Sequence, residues 1–119
     1  MRILVVEDDA AIRDSVEECL AAEGHVVASV ANGAEALEWL GREPAPDLVI
    51  LDLVMPVMNG AELMERLRAD ARLAAIPVVL MTAAMSGPRL AVPSAVAVLP
   101  KPFDLDALLA AVERHGRGR

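Results

Sequence analysis

The chain alternates between two kinds of hydrophobic pattern along almost its whole length. Short runs rich in branched apolar residues are separated by segments in which apolar residues recur at helical spacing. The runs predict five β-strands, and the first and third are continuous enough to be buried on both faces, as in the middle of a parallel sheet. The predicted strands are Ile3–Val6, Val26–Val30, Asp47–Leu51, Ile76–Met81 and Ala95–Leu99, and the second, fourth and fifth of them are runs of the same kind.

This alternation of strands and helices constrains the fold. Each right-handed crossover between parallel strands lays a helix on one face of the sheet. We therefore predict an α/β fold, a doubly wound five-stranded parallel sheet of the flavodoxin-like type with strand order 2-1-3-4-5. The segment Met85–Pro93 should hold the fourth crossover helix, but one glycine and two prolines interrupt it, so that helix is predicted to be short or irregular.

Size and composition indicate a single domain. The chain has 119 residues, of which 55% are hydrophobic and 24% charged, as expected of a globular domain rather than a disordered one. We expect one domain over residues 1–115 and a frayed basic tail or linker stub over 116–119. No uncharged stretch is long enough for a membrane span, and the first residues do not form a secretory signal, so a cytoplasmic location is the default expectation. The single cysteine, Cys19, lies on a helical apolar stripe and is interpreted as a buried thiol.

The charges are unevenly distributed. Residues 1–65 contain fourteen acidic and three basic residues, whereas residues 66–119 contain four acidic and eight basic ones. Such an acidic half disfavours direct binding to nucleic acid, because clustered cations supply most of that affinity. It favours a divalent cation. Lys101 is the only lysine among eleven basic residues, which marks it as a candidate position for a compact ammonium group, although compositional drift could also leave a single lysine.

Polar residues follow four of the predicted strands, at the sheet edge where ligands bind in folds of this type. They are Glu7, Asp8 and Asp9 after the first strand, Asp52 at the end of the third, Thr82 at the end of the fourth and Lys101 after the fifth. Each has a structural alternative. Asp8, and above all Asp9, could cap the first helix. Asp52 could be an ordinary carboxylate at a strand end, Thr82 a β-branched strand residue and Lys101 a solvated lysine. Together, however, carboxylates crowded at one edge repel one another unless a cation or proton relieves them.

Magnesium would meet that need, because it prefers oxygen ligands and uses one or two protein carboxylates. The other groups suit phosphoryl transfer, with Asp52 as the nucleophile, a metal and an ammonium group to neutralise charge, and a hydroxyl to donate a hydrogen bond.

With these residues in place, the chain resembles the receiver domain of bacterial two-component response regulators. The motifs that carry the resemblance are residues 3–9 (ILVVEDD), 52–60 (DLVMPVMNG), 81–83 (MTA) and 101–103 (KPF). Each motif alone is weak, but their order, their positions at strand ends and the thirty residues from Asp52 to Thr82 make the set specific.

The resemblance implies a role for each residue. Asp52 matches the phosphoacceptor, which takes a phosphoryl group from a phosphohistidine on a sensor histidine kinase or histidine phosphotransfer protein. Asp8 matches the direct Mg²⁺ ligand, and Glu7 matches the acidic neighbour that holds the metal through water. The backbone carbonyl of Val54 would complete the metal site. Thr82 matches the switch hydroxyl, and Lys101 matches the phosphate-binding lysine, with a cis Lys101–Pro102 peptide expected.

The sequence departs from the family pattern in two places. Val98 stands where receivers commonly place a tyrosine or phenylalanine, so no aromatic switch is available. The segment from Thr82 to Lys101 is also about three residues shorter than usual, as the interrupted fourth helix indicates. Both departures affect the face through which many receivers signal.

Three functional hypotheses follow. The leading one is a phosphorylatable receiver that is not an enzyme beyond its own phosphotransfer and autodephosphorylation. The second is an interaction module that keeps the fold without switching. The third is an aspartate-nucleophile phosphohydrolase, which is disfavoured because Val54 occupies the position of the general acid.

Overall fold

The computed structural model describes residues 1–52, 60–82, 95–100 and 104–116. Within them the strands are β1 (Arg2–Val6), β2 (Val26–Val30), β3 (Leu48–Asp52), β4 (Val78–Thr82) and β5 (Ala95–Pro100), and the helices are α1 (Ala10–Ala22), α2 (Gly33–Arg42), α3 (Gly60–Ala69) and α4 (Leu105–His115). The strands form one parallel sheet in the order β2-β1-β3-β4-β5. The predicted fold class and strand order are therefore confirmed.

The sheet separates two hydrophobic layers. Successive residues of a strand point to opposite faces, so Leu4 packs with α2 and α3 on one face while Ile3 packs with α1 and α4 on the other. All five residues of β3 are buried, as are the last four of β1. This explains why the sequence of these two strands shows a continuous apolar run instead of an alternation.

The edge strand β2 differs from this pattern. Its bounds are those predicted, but Val26 is 64% exposed and the other four residues are only partly buried. The expectation that Val26–Val30 resembles the central strands is wrong in this respect, because β2 pairs only with β1 and lies at the end of the sheet.

Local chemistry sets most of the element ends. The α1 helix is followed by Gly24, whose φ of +92° is in the left-handed region that glycine adopts without a Cβ penalty. The side chain of Asn32 accepts a hydrogen bond from the Glu35 amide at the start of α2, and that of Asp104 accepts one from the Ala107 amide at the start of α4.

Two strands begin later than predicted. The third begins at Leu48 because Asp47 instead pairs with Arg2, whose amide donates to the Asp47 carboxylate at 2.8 Å. The fourth begins at Val78, and Ile76 is buried in the turn that precedes it.

Two predictions fall largely outside the described residues. The short helix expected within Met85–Pro93 lies in residues 83–94, and most of the expected tail lies in residues 117–119. Gly116, the first residue of that tail, follows α4 and donates its amide hydrogen to the Val112 carbonyl at 2.9 Å.

Candidate functional site

The candidate site lies at the carboxyl ends of the two central strands. In the register of β1 with β3, Val6 is opposite Leu51, so the residues that follow them, Glu7 and Asp52, come to the same level of the sheet. Glu7 is fully buried and Asp52 is only 4% exposed, whereas Asp8 is exposed. The buried carboxyl groups of Glu7 and Asp52 thus lie at the end of the hydrophobic core, and the carboxyl group of Asp8 lies at the surface beside them.

These three side chains converge. One carboxylate oxygen from each of Glu7, Asp8 and Asp52 lies within 4.8 Å of the others. Carboxylates at this separation repel one another when ionised, and a cation between them would relieve the repulsion. A hard divalent ion such as Mg²⁺ prefers oxygen ligands, so the chemistry of this donor set fits the metal predicted from the sequence.

Hydrogen bonds order the turn that carries Glu7 and Asp8. The Glu7 amide donates to the Val30 carbonyl of β2 at 3.1 Å, and the Glu7 Oε2 accepts from the Asp9 amide at 3.0 Å. The carboxylate of Asp9 faces the other way and accepts from the amides of Ala11 and Ile12, at 2.9 and 3.1 Å. The interpretation of Asp9 as the cap of α1 is therefore confirmed.

Of the remaining predicted site residues, the structure describes one backbone position. Thr82 is the last residue of β4 and is opposite Pro100 of β5, while its predecessor Met81 is opposite Asp52. The backbone of Thr82 is thus placed at the same edge as the acidic residues. Val54, Lys101 and the predicted cis peptide lie outside the described residues.

One contact at this site is not predicted by the sequence. The Nη1 of Arg13, one turn into α1, donates to the backbone carbonyl of Glu7 at 2.9 Å. Charge on an amphipathic helix usually indicates a solvated face, and no periodicity identifies a side chain that returns to the preceding strand. The only signal was an arginine in an otherwise acidic stretch, near the start of a helix whose cap is next to the site.

In the described part of the chain, Cys19 and His25 have shifted pKa values, and both lie outside the acidic cluster. Burial raises the pKa of the Cys19 thiol on α1, and the negative charges of Glu23 and Asp106 add to this effect. The cysteine therefore stays protonated near neutral pH. It is half-buried rather than fully buried as the sequence predicted. His25, whose pKa is lowered, precedes β2 at the opposite edge of the sheet.

Comparison with known proteins decides the family. A family model described as the response regulator receiver domain matches residues 3–113. The chain belongs to this family. The predicted resemblance to receiver domains of two-component response regulators is thereby confirmed over nearly the whole chain.

Named relatives of this receiver domain are longer than it. The response regulator MprA of Mycobacterium leprae is 40% identical over 115 residues, which cover 94% of this chain and 49% of that protein. The transcriptional regulatory protein AfsQ1 of Streptomyces coelicolor is 42% identical over 81 residues, covering 68% of this chain and 34% of that protein. The receiver domain spans about half the length, or less, of these curated relatives.

Solved structures share the whole fold. The chemotaxis response regulator CheY4 of Vibrio cholerae superposes with a TM-score of 0.87 at 32% identity, covering 95% of this chain and 96% of that one. The receiver domain of a sensor histidine kinase from Pseudomonas aeruginosa superposes with a TM-score of 0.86 at 28% identity, covering 96% and 95%. The latter structure contains a magnesium ion coordinated in its active-site cleft.

The helices of this receiver domain are short. Among the described residues, none forms a helix with the length and apolar character that a bilayer crossing demands.

Proposed function

We propose that this receiver domain accepts a phosphoryl group on Asp52 from a phosphohistidine, with Mg²⁺ held by the adjacent acidic residues. The observation that carries the proposal is the position of Asp52: it is nearly buried at the end of a central strand, with Glu7 and Asp8 oxygens within 4.8 Å. Because Asp52 is nearly buried, a phosphoryl donor can reach its carboxylate from one direction only, and this orientation favours in-line attack.

The proposed phosphoryl transfer uses one nucleophile and one metal ion. A carboxylate oxygen of Asp52 attacks phosphorus, the phosphorus–nitrogen bond of the donor breaks, and the histidine nitrogen keeps the electron pair. Bound Mg²⁺ would supply charge neutralisation for the equatorial phosphoryl oxygens. Asp8 and Asp52, with the Val54 carbonyl, would bind the ion directly, and buried Glu7 would act through water.

Two further residues are assigned from the family pattern. The Thr82 hydroxyl would donate a hydrogen bond to one phosphoryl oxygen, and the Lys101 ammonium would neutralise another. The backbone of Thr82 ends the strand beside β3, which supports its assignment. We propose no other enzymatic activity beyond this transfer and the hydrolysis of the acyl phosphate. A sensor histidine kinase or histidine phosphotransfer protein is the proposed donor.

The direct test uses a small phosphoryl donor. With acetyl phosphate and Mg²⁺, the intact protein should gain the mass of one phosphoryl group, and chelation of the metal should abolish the gain. Asp52→Asn should remain unmodified, whereas the matched control Asp14→Asn, an exposed acid on α1, should be modified normally. Absence of modification in the parent protein, or modification of Asp52→Asn at the parental rate, would overturn the proposal.

A second candidate is an interaction module that does not switch. Val98 on β5 supports it, because this position lacks the aromatic ring that commonly turns inward in receivers and its aliphatic side chain is 36% exposed. Beryllium fluoride with Mg²⁺ mimics the phosphorylated state. Amide chemical shifts that change only next to Asp52 would favour this candidate, whereas changes extending along β4 and β5 would favour a switching receiver.

A further inference from the structure

The turn between β1 and α1 presents Asp8 at the surface, yet the backbone on both sides of this residue is held. The carbonyl of Glu7, which belongs to the peptide unit before Asp8, accepts a hydrogen bond from Arg13 Nη1 at 2.9 Å. The amide of Asp9, which belongs to the peptide unit after Asp8, donates to Glu7 Oε2 at 3.0 Å. Two fixed peptide planes leave the Cα of Asp8 with little freedom in either backbone dihedral.

Arg13 holds this turn from both directions. Its backbone amide donates to the Asp9 carbonyl at 2.9 Å as part of the first turn of α1, while its guanidinium reaches back to the Glu7 carbonyl. A hydrogen bond from a charged donor is stronger than a neutral one, and this one is partly buried. The same residue therefore connects the end of β1 to the start of α1 across Asp8.

We infer that Arg13 is a positioning residue for the proposed metal site, fixing the peptide unit between Glu7 and Asp8 so that the Asp8 carboxylate points at Asp52. This inference rests on the proposed function, because it assigns to Arg13 a role in Mg²⁺ binding. Arg13 does not touch the ion or the phosphoryl group. Groups that orient metal ligands in this way typically change metal affinity by about 10-fold or more when they are removed.

Charge and position act on the metal in opposite directions here, which makes the inference testable. The guanidinium is positive and contacts the backbone of Glu7, a member of the acidic cluster, so its charge alone opposes the binding of a cation. If Arg13 acted only through charge, its removal would tighten Mg²⁺ binding. If it acts by holding the Glu7 carbonyl, its removal weakens binding despite the more negative surroundings.

The test is the dissociation constant of Mg²⁺ for the unphosphorylated chain, measured by calorimetry at fixed ionic strength. We expect Arg13→Met to weaken binding by about 10-fold. Arg13→Lys, which keeps the charge and can still donate one hydrogen bond, should weaken it less than Arg13→Met does. The control is Arg42→Met, which makes the same charge change at the end of α2, where the exposed side chain of Arg42 forms an ion pair with Glu38 at 3.8 Å. The Mg²⁺ affinity of Arg42→Met should match that of the parent protein.

A second readout does not use the metal. In the metal-free protein, hydrogen exchange at the Asp9 amide should become faster in Arg13→Met than in Arg42→Met, because the turn loses one of its two restraints. Unchanged or tighter Mg²⁺ binding by a folded Arg13→Met would overturn the inference while leaving the proposed function standing. A parent protein that binds no Mg²⁺ would overturn both.

Discussion

His25 is a residue whose local surroundings predict a dependence of stability on pH. Its Nδ1 lies 3.2 Å from the amino nitrogen of Met1. Burial lowers the pKa of the imidazole, and the positive charge of the Met1 amino group lowers it further, while the negative charge of Glu23 acts in the opposite direction. The folded protein therefore binds a proton at His25 less readily than the unfolded chain does.

The sign of the pH effect follows from this difference. Above the unfolded pKa of about 6.5, His25 is neutral in both states and contributes nothing to the pH dependence. As the pH falls below that value, the unfolded state gains protons first, so the free energy of unfolding decreases until the pH passes the lower folded pKa. Urea denaturation between about pH 7.5 and pH 5 should show a smaller decrease for His25→Gln than for the parent. Equal decreases would contradict this assignment.

Some contacts of single residues at the site could be predicted from the sequence and others could not. The convergence of Glu7, Asp8 and Asp52 was predictable because each directly ends or follows a central strand, and the carboxyl ends of parallel strands share one edge. The role of Asp9 was predictable from its position before a helix. The contact of Arg13 with the Glu7 carbonyl was not, because it depends on the rotamer of a long side chain rather than on spacing.

At the scale of an element, the glycine after α1 and the glycine inside α2 provide a matched pair of substitutions. Gly24 has a φ of +92°, and a Cβ there would meet no atom within 4 Å, so the cost of Gly24→Ala is backbone strain alone. Gly41, inside α2, also has open space around a Cβ but does not share the positive φ. The two positions separate conformational strain from steric contact.

We expect the two substitutions to have opposite signs. Gly24→Ala should lower the free energy of unfolding by about 1 kcal/mol, the cost of a left-handed conformation for an L-residue. Gly41→Ala should raise it by about 0.5–1 kcal/mol, because alanine loses less backbone entropy in a helix. Chemical denaturation of both variants beside the parent checks this, and a stabilising Gly24→Ala would show that the turn after α1 does not require glycine.

Elements differ in how well the pattern of residues predicted them. The bounds of β2 and its place at the edge of the sheet were predicted correctly, but its exposure was not, because Val26–Val30 is as apolar as a central strand. The start of β3 was displaced by one residue because Asp47 pairs with Arg2, a contact between distant parts of the chain. Local propensity contains neither kind of information.

At the scale of the whole molecule, the Mg²⁺ site proposed at the acidic cluster would couple metal binding to stability. A ligand that binds only the native state stabilises it, by about 2.7 kcal/mol at a concentration of about 100 times the dissociation constant. For a domain of this size, that gain corresponds to an increase in Tm of roughly 10 °C. Saturating Mg²⁺ should produce such an increase in a thermal melt of the parent protein.

Neutralising one carboxylate of the cluster should stabilise the metal-free protein and reduce the stabilisation by Mg²⁺. Asp8→Asn removes one of three crowded charges, so the metal-free variant should melt above the metal-free parent and gain less from Mg²⁺. Asp14→Asn, outside the cluster, should show neither effect. A metal-free Asp8→Asn that melts well below the parent would indicate that repulsion in the cluster is not a significant cost.

The neighbours β1 and β3 are separated along the chain by α1, β2 and α2. Synthesis on the ribosome releases β1 first, and the acidic residues after it have no Asp52 to meet until the third strand has emerged. A nascent polypeptide that ends before β3 therefore carries only two of the three clustered carboxylates, so the proposed ion site becomes complete only once Asp52 has been added. Ion uptake by stalled translation intermediates would thus report when the centre of the sheet closes.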